Sequence, residues 1–254
     1  MENSTLLRVL STCSATEMKE IEQFLSTPLF NTRSDVKQLF DYLQGHLPSK
    51  SSFLNKQEVY KELFPQKKYS ASKMDLLMSY LFRLVQQYLT WKTFTIDDFG
   101  QKIYAAKAFQ QRGLTRDFQQ SIHKLEGQLK EHNLKDADYY QLLYQLQWEK
   151  FQATDSKQPE QDQATEWQMM QTFDLSYLAT KLKHACLLKA HQLVYPLAME
   201  TDFLKEILNY IPQKKYLQHP AINLYYHCYL MLQSPDKVEY FQTFKHLLFE
   251  LDQH

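Results

Sequence analysis

Four glycines in 254 residues, Gly45, Gly100, Gly113 and Gly127, constrain this chain more than any motif it carries. Hairpin turns and strand-helix-strand connections consume glycine because they need backbone angles that a side chain forbids, whereas long helices do without it. The scarcity therefore predicts an all-α fold. It also removes whole classes of function. Phosphate-binding loops and dinucleotide fingerprints need glycines within six positions of one another, and here the closest two stand thirteen apart. A nucleophile elbow of the GxSxG type is excluded on the same ground.

The hydrophobic pattern agrees. Apolar residues make up 44% of the chain, enough for an ordinary core, and from Thr16 onward they recur at helical spacing. The pattern predicts helices over 16–25, 34–45, 55–64, 71–91, 98–112, 115–131, 137–153, 160–172, 174–197, 202–210, 221–233 and 236–251. Asp136 reads as an N-cap, and "SPDKVEYF" reads as Ser234 capping a helix that opens on Pro235. Short connections make sequential helices antiparallel neighbours. The expected organisation is an N-terminal helical subdomain, 1–92, continuous with stacked helix pairs over 93–254.

Within the second part, Tyr104, Tyr140, Tyr177 and Tyr225 follow one another at 36, 37 and 48 residues, intervals that suit two-helix units. "YYQLLYQLQ" (139–147) and "YYHCYLMLQ" (225–233) match best. "YAAKAFQQRG" (104–113) has the small-residue, aromatic and glycine order of a tetratricopeptide-like pair. The expected architecture is an α-α superhelix rather than a compact bundle.

Charge argues against a polyanionic partner. The 29 basic and 29 acidic residues cancel, and the chain on either side of the Lys92/Thr93 bond stays within three charges of neutral. The strongest rival segment is 56–89, where Lys67, Lys68, Lys73 and Arg83 could meet phosphates. Its helix, however, spends a broad face on Met74, Leu77, Met78, Leu81, Leu84, Val85 and Leu89. No run of about 18 apolar residues occurs, which argues against a spanning helix and a membrane partner. "LLRVLSTC" has the outline of a lipoprotein box but lacks a basic start and carries Arg8 within its apolar run. With three widely separated cysteines, Cys13, Cys186 and Cys228, this makes a cytoplasmic location with reduced thiols the expectation.

"KLKHACLLKAH" (181–191) is the densest group of metal-ligating residues. On a helix, Leu175, Leu178, Ala179, Leu182, Ala185, Cys186, Ala190 and Leu193 share one face. His184 and His191 fall almost opposite Cys186, seven residues apart where a helical chelate needs about one turn. The stretch is expected to pack, its small residues admitting a neighbouring helix closely. Lys189, on the apolar face, has no such explanation. HExxH and ExxH are absent, and His123–Glu126 reads as a solvated face. Asp97/Asp98 and Asp136/Asp138 read as helix-start carboxylates. No catalytic residue, metal ligand or cofactor site is expected.

What remains is aromatic surface. Tyr and Trp give contact area at low entropic cost, and the candidates for holding a partner are Tyr139, Tyr140, Trp148, Trp167, Tyr225 and Tyr226. Three stretches, "QFLSTPLFN" (23–31), "ELFPQKKYSASKMDLLMSYLFRLVQQYL" (62–89) and the segment from Asp174 to Leu232, resemble a family of uncharacterised bacterial all-helical proteins. The likeness rests on a Ser-Pro-x-Phe-Asn type turn, here interrupted by Thr27, on Leu-Phe-Pro, and on His-Pro-Ala-Ile leading into a Tyr-rich helix. It implies a tetratricopeptide-like superhelix and no known activity, and members look longer than this chain, which is then an N-terminal portion. The expected function is non-enzymatic: a helical-repeat scaffold for a protein or peptide. Nucleic-acid binding through 56–89, self-association and an enzyme with an unmarked site stand behind it in that order.

Overall fold

The computed structural model describes residues 4–46, 55–132, 134–153, 159–195, 202–213 and 215–252. Among them the chain forms twelve α-helices, two short 3-10 turns and no strand. It divides into two compact units, Met1–Asp98 and Phe99–His254.

The first unit is built around α5 (Ala71–Phe94), about 36 Å long at 1.5 Å per residue. Met74, Leu77, Met78, Leu81, Leu84, Val85 and Tyr88 recur every three or four positions, so one face is buried along its length. Against it pack α1 (Thr5–Leu10), α2 (Ala15–Ser26), α3 (Ser34–His46) and α4 (Lys56–Leu63). Leu6, Leu7 and Leu10 of α1 belong to this core, although the periodicity from Thr16 onward left them outside any predicted helix. Local chemistry sets the boundaries. Ser14 and Glu17 close a reciprocal capping box at the head of α2, at 2.7 and 3.2 Å. In the α2–α3 connector the Asn31 amide donates to the carbonyls of Leu25 (2.9 Å) and Arg33 (3.0 Å). Its own carbonyl oxygen accepts from the Arg33 N–H at 3.0 Å. Phe30 stacks on Phe24 with ring centroids 4.0 Å apart.

In the second unit each long helix packs on the next: α6 (Asp98–Gln111), α7 (Thr115–Lys130), α8 (Ala137–Gln152), α9 (Pro159–Val194), α11 (Pro220–Gln233) and α12 (Val238–Asp252). The short α10 (Leu204–Tyr210) lies against α9. Two cores result. Ile103, Phe118, Ile122, Leu125 and Leu146 join α6, α7 and α8, and Tyr140, Leu178, Leu182, Ile207 and Ile222 join α8 to α11. The α6–α7 turn needs its glycine: Gly113 sits at φ +71°, its N–H bonded to Gln110, while the Leu114 N–H reaches back to Phe109.

Two boundaries depart from the sequence expectation. Residues 160–172 and 174–197 were expected as two helices, whereas α9 runs unbroken for 36 residues; its last expected positions, 196 and 197, lie outside the described residues. Phe173 and Asp174, at the expected break, are exposed residues inside this helix. Ser234 does not cap α12. Its carbonyl accepts the Lys237 N–H at 3.1 Å, so Pro235 supplies the fixed φ of a turn and the helix waits until Val238. Asp136 does cap α8, accepting the Tyr139 N–H at 2.9 Å. No described helix is long and apolar enough to cross a membrane.

Candidate functional site

The close approach of α9 and α11 positions the most distinctive surface of the second unit. Leu178, Ala179, Leu182, Ala185 and Cys186 are buried, and the Cys186 thiol donates to the Tyr225 carbonyl at 3.2 Å. A backbone carbonyl can come this near only because Ala and Cys fill the helix face. A hydrogen bond with Cys228, together with burial, holds the Cys186 thiol well above the ordinary thiol range. On the other side Lys183 pairs with Asp138 of α8 at 2.9 Å and Thr180 meets Gln141 at 3.0 Å, fixing the rotation of α9. The apolar face ends earlier than its spacing predicts. Ala190 and Leu193 are exposed, so among the described residues no helix covers those two positions.

Beside them lies a groove of about 650 Å³ walled by α9, α10 and α11. Ala185, Leu188, Leu204, Leu208 and Leu230 give it an apolar lining; Gln192, Asn209, Gln233 and the phenols of Tyr226 and Tyr229 add polar groups. Lys189 lines it too, which answers where that residue of the apolar face points, and Lys205 joins it from α10. Burial pushes the Tyr226 and Tyr229 phenols up from their ordinary value, so both enter the groove as neutral hydroxyls. The volume falls within the range of ordinary ligand clefts, and this mixture of apolar wall and few polar groups is their usual chemistry.

Of the six aromatic candidates, only Tyr226 lines this groove. Tyr139, Tyr140 and Tyr225 pack into the α8–α9–α11 core. The Tyr139 and Tyr140 rings meet edge to face at 5.3 Å, and the Tyr140 hydroxyl lies 3.3 Å from Nδ1 of His219. Burial, helped by Tyr139, pushes the Tyr140 phenol up to about 12. Trp148 and Trp167 are exposed on α8 and α9, apart from the groove. The groove residues of α10 carried no signal of their own. Leu204, Lys205, Leu208 and Asn209 form an ordinary amphipathic turn, and only the folded convergence of three helices gives them a common surface.

Elsewhere, the described residues bring no three His, Cys, Asp or Glu side chains together as metal ligands. His184 and His191 are exposed, and the His191 ring lies 4.8 Å from that of Tyr195. Glu126 spends its carboxylate on Lys150 at 2.7 Å, with His123 at 4.0 Å. In the 56–89 region Lys56 pairs with Asp75 at 2.6 Å, Lys67 lies over the Phe64 ring, and Arg83 shares the Tyr80 ring with Arg33. No protein-family model, curated protein or solved structure matches the chain.

Proposed function

We propose that this chain is a non-enzymatic helical-repeat scaffold that binds a protein or peptide segment in the α9–α10–α11 groove. The observation that carries the reading is the groove itself, with apolar walls, amides and two neutral phenols along one open channel. The order of packing, with each long helix of the second unit laid on the next, suits antiparallel pairs stacked as a tetratricopeptide-like superhelix. On this reading the chain is akin to the bacterial all-helical proteins it resembles and works in the cytoplasm.

The test is affinity capture from native cytosol with the wild-type chain and with Asn209→Trp, each with and without nuclease. Asn209 is exposed on the groove wall, so the indole obstructs the channel without entering the core. A protein retained by wild type, lost with Asn209→Trp and indifferent to nuclease is the expected result. Proteins retained equally by both would sink the groove as the binding site, and loss on nuclease treatment would move the function to nucleic acid. Self-association is the second reading, favoured by the exposed Val238, Phe241, Leu248 and Phe249 of α12. Concentration-dependent mass in sedimentation, abolished by Phe241→Ser, is its signature.

A further inference from the structure

The charged side chains that line the groove are both basic. Lys189 and Lys205 both line it, and no Asp or Glu is among its described lining residues. Three other lysines of this unit are matched across helices: Lys107 to Glu149, Lys150 to Glu126 and Lys183 to Asp138, at 2.7 to 2.9 Å. Lys189 is half-buried, and neither it nor Lys205 makes an ion pair or hydrogen bond with another described residue. A carboxylate brought in by a ligand would supply both lysines with the counter-charge that the groove lining lacks. Asp202 and Glu206 flank Lys205 along the chain but are exposed and lie outside the lining.

Resting on the peptide-groove reading, we infer that the occupant is an acidic peptide segment. A large apolar side chain of the peptide seats between Leu188, Leu208 and Leu230, and neighbouring carboxylates meet Lys189 and Lys205. The Tyr226 and Tyr229 hydroxyls and the Asn209 and Gln233 amides line the same groove and face its backbone. Basic segments are rejected because both charges on the wall repel them.

The experiment is selection of a random-peptide phage library on the immobilised 254-residue chain. Enriched peptides are then synthesised with fluorescein and titrated by anisotropy against wild type, Lys189→Gln/Lys205→Gln and Asn209→Trp, with circular dichroism to verify helicity. Enriched peptides should carry Asp or Glu beside Leu or Phe, lose binding to Asn209→Trp, and bind the double Gln variant at least about tenfold more weakly. Peptides blocked by Asn209→Trp yet free of acidic bias and indifferent to the lysine changes would overturn the charge inference and leave the groove reading standing. Selection that yields no peptide sensitive to Asn209→Trp would overturn both.

Discussion

Asn31 satisfies the Leu25 carbonyl at the end of α2 and the carbonyl and amide of Arg33 with a single side chain. Asn31→Ala should therefore cost about 1–3 kcal/mol, read as a shift in urea midpoint with an unchanged slope. His219 offers a second test, through pH. Burial pulls its imidazole below the ordinary histidine range, so the native chain holds it neutral beside the Tyr140 hydroxyl. The unfolded chain takes up that proton near pH 6.5 and the folded chain resists it, so acid favours unfolding. Stability should fall as pH drops from about 6.5 through the folded value, and His219→Gln should flatten that part of the profile. A slope unchanged in the variant would mean that other groups carry the dependence.

At the level of elements, the buried Glu149 of α8 holds α6 through Lys107 at 2.9 Å. Lys107→Met strands a buried carboxylate and should cost about 3 kcal/mol, while Lys107→Met/Glu149→Met should recover most of that loss in thermal melts. The helices themselves were largely legible, because Asp136 capping α8, Pro220 at the first position of α11 and the α5 stripe are local signals. The failures were also local signals, overridden by context. Asp174 looks like a helix start, but in the middle of α9 its neighbours pack on α8 and the carboxylate simply faces water. Ser234-Pro235 suits a turn as well as a cap, and only the hydrogen bond from Lys237 decides. The groove was illegible because its residues run from Ala185 to Gln233 on three elements; Lys189 was the single hint, a cation where the spacing called for an apolar residue.

For the whole molecule, the first unit closes a core of its own, from Leu6 of α1 to Tyr88 of α5. Residues 1–98 expressed alone should accordingly be helical and give one cooperative thermal transition; a broad, non-cooperative melt would show that this core is insufficient by itself. The placement of the three tryptophans has a different kind of consequence. Trp91, Trp148 and Trp167 are 50, 38 and 66% exposed, so the native indoles already meet water. Intrinsic emission should be red-shifted in the folded state, readily quenched by acrylamide, and little changed on unfolding. Fluorescence will thus be nearly blind to denaturation of this protein, yet well suited to sensing anything that comes to rest on its surface.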